Sequence, residues 1–354
     1  MNIEKEFLKI HSDSFEAFPD ERDYVGIYKT LKEKFDREIH PEIKTKILEI
    51  EKDGYYNDHG VDHIKMVIDR ASKLLNNLTP LSTKEKEVFF ISPYEIFILL
   101  MSINLHDTGH LIGSRKEHAS KGKQLLSKFD SGDLLSRSEK LIIGKIAQAH
   151  SGKNDPIGQL EAEMYVSHKS IRPQLLAAIL RLADELAEDK TRASKFLLDI
   201  DQMIPSSEIF HRYSESLDSL NINHEEIKIE FYIEQQLTQK KFPKFAKDQF
   251  LIDEIYERTL KTFTESLYCN RFLPERGRLT TVKVKIHFFD KENNDDVIDP
   301  ISYTIKESGY PSFPFEDIYK LCPDLVNNKV HMDGKFFLEK IGSIVKPKEY
   351  EESI

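Results

Sequence analysis

The chain has 354 residues, of which 39% are hydrophobic and 32% are charged, and its formal net charge is −10. This length predicts about two domains, and the composition excludes a disordered chain. An acidic protein is not suited to general nucleic-acid affinity or to an acidic membrane surface. Its two cysteines, Cys269 and Cys322, exclude a disulfide framework and a thiolate zinc site.

The N-terminus and the apolar runs indicate a cytoplasmic protein without a membrane partner. Residues 1–6 (MNIEKE) carry too many charges for a secretory signal. The longest strongly apolar run, Ile96 to Met101, is too short to cross a bilayer. That run therefore predicts a buried helix.

Taken in chain order, the patterns predict an N-terminal helical extension over residues 1–50 and an all-α domain over 51–204. After a change in composition near 204–207, alternating strand patterns occur at 226–235 and 279–289, and a third strand is expected at 302–306. Helical patterns occur at about 249–267 and 334–345. The fold class is therefore predicted as α+β: an all-α helical core followed by a smaller α+β domain, 205–354, with a short, mostly antiparallel sheet.

Five predicted helices of the 51–204 segment each carry a side chain of the kind that binds metals. The helices are expected at about 61–78, from 92 onwards, and at about 116–129, 139–150 and 171–186. The second begins with a Ser92-Pro93-Tyr94-Glu95 capping box, and Gly109 is expected to end it. The metal-binding types of side chain are His63, His106 with Asp107, His118, His150 and Asp184, with His59 one helical turn before His63.

These polar groups lie on otherwise apolar helix faces, where each needs a partner. A buried carboxylate is costly unless it is paired or bound to metal, and a buried imidazole needs a partner for each nitrogen. Taken singly, each residue has an ordinary alternative; Asp184, for example, could pair with Arg181 or Arg192. Taken together, imidazole nitrogens and carboxylate oxygens favour a site for iron, manganese, zinc or nickel.

The order His63, His106-Asp107, Asp184 resembles the H…HD…D signature of the HD superfamily. The local sequences DHGVDHI (58–64), LHDTGH (105–110) and LRLADEL (180–186) resemble its three motifs, and the resemblance covers about residues 50–195. The closest similarity is to the HD-CE type, a variant linked to prokaryotic conflict systems. His118 and His150 resemble the additional histidines of two-metal members. The chain lacks the GYP triplet of the cyclic di-GMP phosphodiesterases.

The resemblance implies a metal-dependent phosphohydrolase, either a phosphodiesterase or a nucleotidase, that acts through a metal-activated water. Its substrate would be a nucleotide, a cyclic nucleotide or a nucleic-acid end. Two divalent ions are expected, with manganese, iron, nickel, zinc and magnesium not distinguished. The implied metal ligands are His63, His106, Asp107 and Asp184 for the first ion and His118 and His150 for the second, with Asp107 as bridge and His59 as a further candidate.

Three other side chains are candidates for catalysis or phosphate binding. His110 is assigned to proton transfer together with the catalytic Asp107, because an imidazole titrates near neutral pH. Lys153 and Arg212 are assigned to a substrate phosphate.

The alternative function is a non-catalytic metal- or nucleotide-binding signalling module that acts through a protein partner. The C-terminal domain is expected to set substrate or partner choice, with packing or homodimer formation as the alternative role.

Overall fold

The computed structural model describes residues 2–50, 60–78, 90–114, 117–130, 132–200, 202–244, 247–307 and 317–343. A short hairpin, β1 (Met164–Val166) and β2 (Lys169–Ile171), lies within the helical first part. The helices of this part are α1 (Ile3–Phe7), α2 (Tyr24–Lys34), α3 (His40–Ile50), α4 (Val61–Leu78), α5 (Pro93–Leu105), α6 (His118–Phe129), α7 (Arg137–Gln148), α8 (Pro173–Glu185) and α9 (Lys195–Asp199).

Helix α5 is the centre of the first part, because its residues from Tyr94 to Leu105 are all buried. The predicted capping box starts it: Ser92 Oγ accepts from Glu95 N at 3.2 Å, and Glu95 Oε2 accepts from Ser92 N at 2.9 Å. Glu95 also accepts a hydrogen bond from Arg172 Nε, at the start of α8, at 2.8 Å. One carboxylate therefore caps α5 and fixes the neighbouring helix beside it.

The N-terminal helices pack on α4 and α5. The backbone N–H of Ile3 donates to Ser72 Oγ on α4 at 3.0 Å. The Tyr24 ring makes edge contacts with Tyr94 and Phe97 of α5, with centroids 5.3 and 4.8 Å apart. These contacts bury the apolar face of the extension against the back of α5.

The second part contains a four-stranded sheet with the order β3-β4-β7-β8. Its strands are β3 (Leu217–Asn223), β4 (Glu226–Glu234), β7 (Thr281–Phe289) and β8 (Asp296–Lys306), and the short pairs are β5 (Lys241–Lys244) with β6 (Lys247–Phe250) and β9 (Val326–Asn327) with β10 (Val330–His331). Only β4 and β7 pair in parallel within this sheet. The α+β class and the mostly antiparallel sheet are confirmed. The helices here are α10 (Pro205–Ser216), α11 (Leu251–Asn270), α12 (Ile318–Leu321) and α13 (Gly334–Gly342).

Helix α11 joins the two parts of the molecule. On the sheet side, Thr259 Oγ1 hydrogen-bonds the Tyr303 hydroxyl of β8 at 2.8 Å. On the other side, Glu265 accepts from Arg181 of α8 at 2.6 and 2.9 Å. A single cluster of buried apolar side chains runs through both parts of the chain. None of the described helices is long and apolar enough to cross a membrane.

The Arg181–Glu265 pair predicts a measurable loss of stability when it is broken. The two side chains are only 10% and 19% exposed. We expect Glu265→Gln to lower the free energy of unfolding by about 2 kcal/mol, between the values for exposed and fully buried pairs. Chemical denaturation measures it, with Glu33→Gln as the control, because the Glu33–Arg37 pair lies in water. Equal losses in the two variants would contradict the prediction.

Candidate metal centre

His106 and Asp107 lie where the buried helix α5 ends. The helix stops at Leu105, and His106 is its C-cap. The His106 Nδ1–H donates to the Ile103 carbonyl at 2.7 Å. This hydrogen bond fixes the ring and its tautomer, so that Nε2 is the atom offered to a ligand.

A first cluster of ligand atoms forms where α4, α5 and α8 meet. His63, His106 and Asp184 each contribute one atom, and the three atoms lie within 4.8 Å of one another. Asp184 Oδ1 lies 3.1 Å from His63 Nε2 and 3.6 Å from His106 Nε2. Both imidazoles are buried, whereas the Asp184 side chain remains 27% exposed. The cluster is therefore enclosed on one side and open on the other.

A second cluster lies beside the first and comprises Asp107, His118 and His150. The Nε2 atoms of His118 and His150 are 3.0 Å apart. His150 lies two residues past the end of α7, and not within the helix as expected. There its Nδ1–H donates to the Ala147 carbonyl at 2.6 Å, which turns Nε2 toward the cluster.

Asp107 connects the clusters, because each of its carboxylate oxygens faces one of them. Oδ2 lies 3.3 Å from His106 Nε2 and 3.7 Å from His63 Nε2. Oδ1 lies 3.6 Å from His118 Nε2 and 3.8 Å from His150 Nε2. The placement is that of a carboxylate able to bridge two ions.

The ionisation of the clusters reflects two opposed effects. Burial opposes the charge on His106, but Asp107 and Asp184 outweigh it and hold the His106 pKa well above its usual value. Burial likewise opposes the charge on Asp184, but His106 and His63 hold its pKa well below the usual range. Burial, together with His106 and His118, lowers the pKa of His150 to about 4. A neutral His150 keeps a lone pair on Nε2.

These residues fit metal ions in both donor chemistry and spacing. Two atoms bound to one ion at about 2.1 Å lie about 3 to 4 Å apart, which matches the distances within each cluster. His106 Nε2 is buried and makes no hydrogen bond within the described part of the chain. The alternative arginine partners of Asp184 are engaged elsewhere, Arg181 with Glu265 and Arg192 with Glu188.

Gly109 brings His118 to the centre by allowing a close approach. It does not end α5, which stops four residues earlier, so the expectation of a helix-ending glycine is wrong. A Cβ built on Gly109 would lie 1.8 Å from the His118 carbonyl oxygen and 2.8 Å from the backbone nitrogen of Gly122. Only a residue without a side chain allows the first turn of α6 to pack on the His106-Asp107 turn.

We therefore expect Gly109→Ala to destabilise the protein by about 3 kcal/mol, because overpacking against backbone cannot be relieved by a rotamer change. Thermal or chemical unfolding measures the effect. Gly132→Ala is the matched control, since the nearest atom to its Cβ is 3.8 Å away. Similar stability of the two variants would show that α6 shifts freely and that its packing does not fix His118.

A family model described as HD-CE matches residues 53–260, which is more than half of the chain. The chain belongs to the HD-CE family. No curated protein and no solved structure matches it significantly. In this HD-CE protein the matched segment continues beyond residue 204 and includes α10, β3, β4 and the first half of α11. The proposed boundary at 204 stays a prediction.

Both clusters open into a cleft of about 640 Å³. Asp107, Asp184, His118 and His150 line it, and so does His110. His110 is buried, its ring stacks on His118 with centroids 4.2 Å apart, and its Nε2 lies 3.9 Å from Asp107 Oδ1. The position is compatible with proton transfer, which stays a prediction.

The other candidates of the HD-CE site are placed differently. Lys153 lines the cleft next to the loop that carries His150. Arg212 is not among the lining residues, and its guanidinium contacts Glu208 and Glu215 at 3.5 and 2.8 Å. The candidate ligand His59 lies outside the described residues.

The sequence patterns did not point to the wall that α11 contributes to the cleft. Its residues Glu254, Arg258, Lys261 and Glu265 line the cleft and follow one another at helical spacing. The spacing was a usable signal of a common face. A charged stripe, however, is equally typical of a helix face in water, and only the packing on α8 distinguishes the two.

Proposed function

We propose that this chain is a metal-dependent phosphohydrolase that cleaves phosphoester bonds in a nucleotide, a cyclic nucleotide or a nucleic-acid end. The observation that carries the proposal is the position of Asp107 between two clusters of buried imidazoles at the floor of an open cleft. Membership of the HD-CE family supports it. A phosphoester small enough to enter this cleft is the proposed substrate.

The side chains have distinct tasks in this proposal. His63, His106 and Asp184 would hold one ion, and His118 and His150 the other, with Asp107 between them. Bound metal would supply the Lewis acidity that makes a water nucleophilic at neutral pH and neutralises phosphate charge. His110 would deliver a proton from its imidazole to the leaving oxygen. Lys153 at the cleft would contact a phosphate oxygen with its ammonium group.

The buried wall of the centre supports hydrolysis over simple storage of metal. The first cluster is enclosed by α4, α5 and α8, so its imidazoles are shielded from water. The cleft leaves the Asp184 carboxylate open to a ligand. A catalytic metal site is expected to have fixed ligand atoms on one side of the ion and an open side where substrate can bind.

The test uses the full chain, purified anaerobically and reconstituted separately with manganese, iron, nickel, zinc and magnesium. Each form is assayed on nucleotides, cyclic nucleotides, phosphodiesters and oligonucleotide ends. We expect hydrolysis of at least one class with at least one metal, and its loss after chelation. Metal-loaded protein that cleaves none of these classes would favour the alternative of a binding module.

A further inference from the structure

Part of the cleft is lined by residues that do not belong to the two metal clusters, and its charged residues are balanced in number. This distal wall consists of lining residues from α8, α10, α11 and the segments next to them. Its carboxylates are Glu185, Glu188, Glu254, Glu257 and Glu265. Its cations are Arg181, Arg192, Lys244, Arg258 and Lys261. Five negative and five positive charges leave the distal wall with no net charge.

Each cation from α8 and from the second half of α11 is engaged by a carboxylate across the α8–α11 contact. Arg181 binds Glu265 through two N–H groups at 2.6 and 2.9 Å, and it donates to the Gly152 carbonyl at 3.1 Å. Lys261 Nζ lies 2.5 Å from Glu185 Oε2. These pairs join the two helices and use the positive charge that a phosphate would need.

The remaining cations of the distal wall are engaged in the same way. Arg192 contacts Glu188 at 2.8 Å, and Arg258 contacts Glu254 at 2.7 Å. Lys244 Nζ lies 2.5 Å from both Glu254 and Glu257. A phosphate placed here would lie close to carboxylates that already hold these cations, and the repulsion would oppose the attraction.

The charge of the metal end of the cleft, which the two clusters line, depends on bound metal. Asp107 and Asp184 bring two negative charges there, and two divalent ions would outweigh them. Lys153 also lines that end, and within the described part of the chain no carboxylate lies within ion-pair distance of it. Anionic groups are therefore favoured at the metal end and not at the distal wall.

The distal wall instead offers a partly exposed guanidinium beside an aromatic ring, and many hydrogen-bonding groups. The Arg258 guanidinium carbon lies 4.4 Å from the centroid of the Tyr213 ring, and the Arg258 side chain is 26% exposed. A guanidinium stacked on an aromatic ring provides a planar face on which a further flat ring can stack. Uncharged sugar hydroxyls and base edges can hydrogen-bond to the paired carboxylates and ammonium groups without changing the charge balance.

We propose that the cleft selects substrates with a single phosphate group, such as a nucleoside phosphomonoester or phosphodiester, and disfavours polyphosphates. The phosphate lies at the metal clusters, and the uncharged body of the substrate lies along the distal wall. This proposal rests on the proposed function, because it takes the metal end as the place where phosphate binds.

The experiment measures equilibrium binding to the metal-loaded full chain at low salt, with no turnover required. The probes are inorganic phosphate, tripolyphosphate and adenosine 5′-monophosphate. After the titration, the adenosine 5′-monophosphate is checked to be intact. We expect the monophosphate to bind at least about tenfold more tightly than tripolyphosphate. Tripolyphosphate that binds as tightly as the monophosphate would overturn the proposal.

A charge variant separates the distal wall from the metals. We expect Glu257→Gln, which removes one wall carboxylate, to strengthen tripolyphosphate binding about tenfold and to leave inorganic phosphate nearly unchanged. Glu33→Gln on α2 is the control for net charge and should change neither. Metal chelation by tripolyphosphate is the same for all variants. The ratio of their tripolyphosphate dissociation constants therefore reports the contribution of the distal wall.

The outcomes distinguish this proposal from the function on which it rests. Equal tripolyphosphate binding by Glu257→Gln, Glu33→Gln and the unaltered chain would overturn the selection mechanism and leave the phosphohydrolase proposal standing. Absence of inorganic phosphate binding to metal-loaded protein would contradict both, because no phosphate would then lie at the metal end.

Discussion

Replacement of Asp107 by alanine is expected to lower metal-dependent hydrolysis by about three orders of magnitude. The two oxygens of this carboxylate face different clusters, so one substitution removes a ligand from each. A loss of several kcal/mol of transition-state stabilisation corresponds to a factor of this size. The measurement is the steady-state rate on the best substrate of the reconstituted protein, with metal content determined on the same sample.

The matched control is Asp62→Ala. Asp62 lies on α4 next to His63, but its side chain is 76% exposed and contacts Lys65. We expect this variant to keep its metal and its rate. Wild-type turnover by Asp107→Ala would show that the chemistry takes place elsewhere, whatever the metal content.

The second large effect is expected from the histidines of the second cluster. The variant His118→Ala/His150→Ala should lower the metal content from two ions per chain to one and reduce hydrolysis about a hundredfold. The two Nε2 atoms are 3.0 Å apart and face Asp107 Oδ1. After their loss, His110 Nε2 is the imidazole nitrogen that stays near that oxygen, at 3.9 Å. The first cluster keeps its three ligands, and its ion should remain.

Elemental analysis after reconstitution and removal of loosely bound metal measures this change. His11→Ala serves as the control because His11 is exposed and distant from both clusters along the chain. A double variant that retains two ions would contradict the assignment of His118 and His150 as ligands. A variant that loses both ions would indicate that the clusters do not bind independently.

Much of the helical part could be predicted because each helix carries its own local signals. The apolar stripe of α4 gave its limits, 61–78, and the capping box gave the first residue of α5. The predicted end of α7, at His150, lies two residues too far, because a metal-binding histidine and a helix-face histidine have the same spacing. The role of Gly109 could not be predicted, because the atoms that approach it come from α6 and local sequence does not indicate that contact.

The second part was less predictable because its elements depend on contacts between distant residues. The strands β4 and β7 alternate clearly, whereas β3 and α10 were not expected. The residues of the two clusters were recognisable from their motifs. The composition of the cleft was not, because a residue such as Lys261 becomes part of a wall only when α11 packs beside α8.

The bridged two-ion centre is tested most directly by an anomalous difference map from crystals of the full chain loaded with manganese. Two peaks are expected, one on either side of the Asp107 carboxylate. One should be ligated by His63, His106 and Asp184, and the other by His118 and His150. A single peak, or peaks that do not contact Asp107, would contradict the bridged two-ion centre from which the proposed chemistry follows.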